Sequence, residues 1–124
     1  MEILALILLL QIKHYYADFA IQTYAQTVRK GIYKDPVGIS HSVDHVWTTL
    51  VALLVFDIFV VPLELFDMIA VALLEGIVHY HIDLTKVKFG TKDSTKPMFW
   101  NQFGMDQLAH QACYLVMVWY LLMF

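Results

Sequence analysis

Apolar residues dominate this chain in four long runs, and each run is interrupted by polar residues at helical spacing. The runs predict helices over Ile3–Thr27, Ser40–Val61, Asp67–Lys88 and Asn101–Phe124. Arg29-Lys30-Gly31 reads as the stop of the first, because a glycine after a basic last turn commonly ends a helix. Asp35-Pro36 reads as a turn, Pro62 ends the second helix, and Gly90 to Pro97 forms a polar, lysine-bearing loop before the anchor Met98-Phe99-Trp100. At a rise of about 1.5 Å per residue, each run of about 20 residues or more spans a hydrocarbon core of about 30 Å. Short loops make successive helices antiparallel, so the expected fold is all-α, a single integral membrane domain built as a four-helix up-down bundle.

Within these runs the polar residues repeat one pattern. His14 and Asp18 are four apart, as are His41 and His45, His79 and Asp83, and Asp106 and His110. Residues four apart share a helix face, so each helix presents one pair of ionisable groups, with Glu75 a turn before His79 and Gln22 a turn after Asp18. Counted from the outer ends, the pairs lie about 17 to 24 Å along their axes. Antiparallel helices therefore bring them into one layer.

Composition supports this picture. The chain has 124 residues, 60% of them hydrophobic and 15% charged, with a mean hydropathy of +0.62. A soluble domain has roughly 45–50% apolar residues. The net charge of −3 points to no nucleic-acid partner, and the single cysteine, Cys113, excludes an internal disulfide. Met1-Glu2 lacks the basic start of a signal peptide, and the first run is expected to be a retained helix. Arg29, Lys30 and Lys34 fall in the first loop, and Lys86, Lys88, Lys92 and Lys96 fall at or in the third. The opposite end carries Glu2, Asp57, Glu64 and Asp67. The positive-inside rule then expects a multi-pass protein of the inner (plasma) membrane, with both termini outside and both basic loops cytoplasmic.

Carboxylates deep in a membrane helix oppose insertion by roughly 2.5–3.5 kcal/mol each near the centre, and they usually mark ion paths, proton relays or ligand sites. Imidazole and carboxylate together are the ligand set of zinc, manganese and iron. The candidate metal ligands are His14, Asp18, His41, His45, His79, Asp83, Asp106 and His110. Eight groups exceed what one zinc needs, so either two divalent ions bind or some of the eight support the others. If the site is catalytic, Glu75 and Asp44 are the candidate proton-transfer groups. Gln22 and Gln107 are placed to orient a substrate oxygen, and Lys86 to attract a phosphate.

His14-Tyr-Tyr-Ala-Asp-Phe-Ala-Ile-Gln22 resembles the opening H-x-x-A-D-F-x-x-Q block of a small polytopic membrane-protein family of bacteria and their phages. That family is defined only as a domain of unknown function (family 3307). His41-x-x-x-His45, His79-x-x-x-Asp83-x-x-Lys86 and Asp106-Gln107-x-x-His110 resemble its later blocks, in order. The resemblance implies the bundle and the polar layer and brings no activity. Three readings stay open. The first is a membrane-embedded metal-dependent hydrolase of a lipid or phosphoester, with zinc as the first candidate. The second is an oligomeric proton or metal-ion channel or carrier, with Thr48, Thr49 and Asp57 continuing a polar track outward. The third is a structural or regulatory membrane protein, such as a phage exclusion factor. Membrane lipid and a second copy of the chain are the expected partners.

Overall fold

The computed structural model describes residues 1–124 and contains helices but no strand. Helix α1 runs over Glu2–Tyr15 and continues through a π-helical turn at Tyr16–Ala20. The remaining helices are α2 (Tyr24–Arg29), α3 (Pro36–Phe59), α4 (Leu65–Phe89) and α5 (Pro97–Met123).

The first expected helix does not reach Thr27 unbroken. Its end is rebuilt by a capping box, in which the Thr23 hydroxyl accepts from the Gln26 N–H at 3.2 Å while Gln26 Oε1 accepts from the Thr23 N–H at 2.8 Å. Reciprocal satisfaction of orphan N–H groups starts the new helix α2. The second expected helix begins earlier than Ser40. Asp35 is its N-cap, accepting from Val37 N–H at 2.9 Å and Gly38 N–H at 3.3 Å, and Pro36 occupies the first helical position. Asp-Pro here is a helix start, the arrangement in which proline's missing N–H costs nothing. Pro97 likewise opens α5 ahead of Asn101.

Helix α1 packs on α3 and α5, and α4 packs on α3 and α5, so the four long helices contact one another in a ring, with α2 laid over the start of α3. At one end the ring closes on Leu6, Leu10, Leu53, Phe56, Met68, Val71, Tyr114, Met117 and Val118. At the other end the buried residues are polar: Lys13, His14, His41, His45, Glu75, His79, Asp83, Asp106 and His110. The outward faces are apolar, with Leu4, Leu8, Val51, Ile58, Leu74, Val116 and Trp119 all exposed. Such an exterior suits lipid rather than water. Three helices are long and apolar enough to cross a membrane: Glu2–Ala20, Pro36–Phe59 and Leu65–Phe89. Asn101, Gln102, Asp106, Gln107, His110 and Gln111 lower the apolar character of the first half of α5.

Candidate metal centre

The polar end is assembled from the C-terminal parts of α1 and α4 and the N-terminal parts of α3 and α5. The π turn places Asp18 so that its two oxygens serve different neighbours. Oδ2 lies 3.2 Å from His14 Nε2 on the same helix. Oδ1 lies 2.9 Å from His45 Nε2, 3.2 Å from His41 Nε2 and 3.7 Å from His79 Nε2. His41 Nε2 and His79 Nε2 are themselves 3.3 Å apart. Ligands on a tetrahedral zinc at about 2.0–2.1 Å stand about 3.4 Å from one another. Asp18, His41, His45 and His79 thus offer atoms that all lie within 4.8 Å of each other, at distances bracketing a tetrahedron's edge.

A second grouping, His79, Asp83 and His110, satisfies the same 4.8 Å limit and shares His79 with the first. Asp83 Oδ2 lies 3.2 Å from His79 Nε2 and 3.3 Å from His41 Nε2. His110 Nε2 stands 3.7 Å from Asp83 Oδ1 and 3.6 Å from Asp106 Oδ1. Four buried atoms here have no hydrogen-bond partner: His79 Nδ1, Asp83 Oδ2, Asp106 Oδ1 and His110 Nε2. Buried polar atoms left without partners are rare, and three of these four, on Asp83, Asp106 and His110, lie at or beside the second grouping rather than at Asp18.

Lysines balance most of the acid. Lys13 Nζ is 3.0 Å from Glu75 Oε1, Lys30 Nζ is 3.0 Å from Asp83 Oδ2, and Lys86 Nζ is 3.2 Å from Asp106 Oδ2. Lys30 lies within ion-pair distance of Asp83 but off a hydrogen-bond direction. Asp18 alone has no lysine and faces only imidazoles. With neutral histidines the cluster is one positive charge short, and the shortfall is at Asp18.

The other expected site residues divide in two. Glu75 is buried at the base of the cluster, 3.5 Å from His45 Nδ1 and 3.7 Å from His79 Nδ1, and it accepts from Thr49 Oγ1 at 3.1 Å and Tyr114 OH at 3.4 Å. Gln22 Nε2 contacts His41 Nε2 at 2.8 Å, and Gln107 joins His14 Nε2 at 3.2 Å to Asp106 Oδ2 at 3.1 Å. Asp44 is elsewhere: its carboxylate accepts from Gln26 Nε2 at 2.7 Å and holds α2 against α3. It precedes His45 by one residue, about 100° around the helix, which turns it out of the cluster. Asp57 accepts from the Leu63 N–H at 2.7 Å and closes the turn after α3, so it continues no polar track.

Sequence reasoning missed Lys13, Lys30 and Tyr114. Lys13 bridges Glu75 and His45 Nδ1, at 3.0 and 3.1 Å, and its ammonium stands 5.0 Å from the Tyr114 ring centroid. Tyr114 OH contacts His14 Nδ1 at 2.8 Å. The spacing Asp106, His110, Tyr114 continues the i, i+4 series and carries a signal for the tyrosine. Lys30 is separated from Asp83 by more than fifty residues and had no local signal.

No curated protein and no solved structure matches the chain. One family model matches residues 5–124, nearly the whole length, and so the chain belongs to the family described as Protein of unknown function (DUF3307).

Proposed function

We propose that this chain is a multi-pass membrane protein, a four-helix up-down bundle that holds one divalent ion, zinc first among candidates, and uses it to hydrolyse a phosphoester. The observation that carries the reading is the gathering of three imidazoles on Asp18 Oδ1, whose distances to the Nε2 atoms of His41, His45 and His79 are 3.2, 2.9 and 3.7 Å, with His41 and His79 3.3 Å apart and one ligand atom from each of the four residues within 4.8 Å of the others. One ion fits better than two. His79 belongs to both groupings, and Lys13, Lys30 and Lys86 already stand against the other three carboxylates.

The apolar end argues for a closed site and against conduction. Leu6, Leu10, Leu53 and Phe56 are fully buried beyond the cluster. An ion crossing there would lose its ligands to a dry plug. Access is from the end bearing the basic residues, which the positive-inside rule makes cytoplasmic.

A bound ion would supply a water acidic enough to serve as nucleophile near neutral pH. In hydrolysis the water oxygen bonds to phosphorus, the ester P–O bond breaks, and a proton passes to the departing alcohol. Glu75 stands 3.5 and 3.7 Å from the Nδ1 atoms of His45 and His79, near enough to hold these rings by charge, while His45 Nδ1 meets Lys13 at 3.1 Å and His79 Nδ1 has no hydrogen-bond partner. Gln22 and Gln107 line the approach from their contacts with His41 and His14.

The test is hydrolysis of bis(4-nitrophenyl) phosphate by the full chain in lipid nanodiscs. Turnover is expected to vanish on chelation, return with zinc, and be lost in Asp18→Asn. Turnover indifferent to both chelator and Asp18→Asn would overturn the reading.

A further inference from the structure

Beside the metal centre the α4–α5 side of the molecule carries two hollows that join. A groove of about 650 Å³ runs between these helices, lined on its apolar part by Ile77, Val78, Ile82, Phe89, Met105 and Ala109. Next to it, towards the basic loops, a cavity of about 440 Å³ is lined by Gln22, Lys30, Lys86 and Lys92, with no carboxylate among its lining residues. Lys86, Gly90 and Gln102 border both. The two are one amphiphilic space, apolar along the helices and cationic at the loop end.

We infer that this space binds a membrane lipid with an anionic phosphate headgroup, the acyl chain in the groove and the phosphate among the lysines. The inference rests on the membrane reading above and names the class of phosphoester that reaches the metal centre. Binding itself requires no ion. An apolar groove facing a bilayer takes any acyl chain, so selection must come from the head. Lys92, which has no carboxylate partner, supplies it, since an ammonium is a strong point-charge partner for phosphate, and Lys86 and Lys30 add only what their pairs with Asp106 and Asp83 leave. Lys86 stands at the junction. Its Nζ lies 3.2 Å from Asp106 Oδ2 and 4.6 Å from the Phe103 ring centroid, so a phosphate there shares the lysine with Asp106. Asp106 in turn lies 3.6 Å from His110, which connects the headgroup position to the imidazole cluster.

Chelated full-length protein, released from detergent in native mass spectrometry, provides the test, because chelation stops turnover and isolates binding. The probes are phosphatidic acid, phosphatidylcholine of the same chains, and inorganic phosphate. Retention of phosphatidic acid is expected to exceed that of phosphatidylcholine by roughly tenfold, a preference of the size that a few desolvated charge contacts provide. Lys92→Glu, at an exposed loop position, and Met105→Trp, which fills the groove, are each expected to abolish that preference or the retention itself. Asp18→Asn is expected to retain the lipid, so a failed metal reading leaves this result intact. Equal retention of the two lipids overturns the inference, as does wild-type binding in both variants. Loss in Lys92→Glu alone, with free phosphate displacing the lipid, would make the site one for soluble phosphate and overturn the lipid assignment.

Discussion

Glu75 and Lys13 are 2% and 5% exposed, and each is the other's only counter-charge in the cluster. Removing one member of a buried pair strands the other, which typically costs about 3–5 kcal/mol. Lys13→Met is therefore expected to lower stability in denaturant titrations by about that much. The double variant Lys13→Met/Glu75→Leu is expected to recover most of the loss, because it removes both charges together. A double variant no more stable than the single one would contradict the pairing. Tyr114→Phe deletes the hydroxyl at 2.8 Å from His14 Nδ1 and is expected to cost about 1–3 kcal/mol, since it leaves a buried ring nitrogen unpartnered. At this scale the histidine and aspartate contributors were legible from i, i+4 spacing alone. Lys86 was legible too, but Lys13 and Lys30 were not, because a cation's partner lies on another helix and spacing along one helix carries no record of it.

The helices themselves depend on a few close approaches and caps. A Cβ at Gly76 would collide with Val46 Cγ2, so α3 and α4 meet across a glycine. Gly76→Leu is expected to force these helices apart and destabilise the protein by about 1–3 kcal/mol, read as a lower unfolding midpoint. An unchanged midpoint would mean the interface yields freely. Asp35 caps α3 and binds Arg29 Nη2 at 2.6 Å. Desolvation is the largest single influence and raises its carboxyl pKa, but the bonds from Arg29 and the N–H groups of Gly38 and Val37 together outweigh it and hold the carboxyl below its ordinary value of 3.8. A folded-state pKa depressed in this way contributes stability that is complete above the unfolded value and is lost as pH falls through the folded one. Asp35→Ala is expected to lower the unfolding midpoint at neutral pH and to lose that difference in strong acid. A difference of undiminished size at a pH below the depressed folded-state value would assign the effect to the helix start alone. Three helix starts carried a signal that the apolar pattern overrode: Thr23-x-x-Gln26 fell inside an expected helix, Asp35-Pro36 read as a turn and Pro97 as the end of a loop, and each instead opens a helix. The π turn at Tyr16–Ala20 was not, because apolar periodicity barely distinguishes a π turn from an α turn over five residues. That turn places Asp18, the residue around which the imidazoles gather.

Across the whole molecule, charge and polarity are sorted along one axis. Apolar side chains from α1, α3, α4 and α5 close one end, the imidazole and carboxylate layer occupies the other, and the lysine cavity lies beside that layer. The convergence of all four polar pairs followed from antiparallel counting and needed only helix lengths. What counting lacked was the charge balance within the layer. Eight candidate ligands left open either two ions or one ion with supporting partners, and the lysine partners of Glu75, Asp83 and Asp106 leave Asp18 as the one carboxylate of the layer without a lysine. Occupancy at Asp18 is therefore the deciding quantity. Elemental analysis of the purified chain after zinc loading and desalting measures it most directly. One ion per chain is expected in the wild type and none in His41→Ala/His79→Ala, with helical circular dichroism preserved in both. A fully helical wild type that holds no ion, or a double variant that still holds one, would contradict the metal centre.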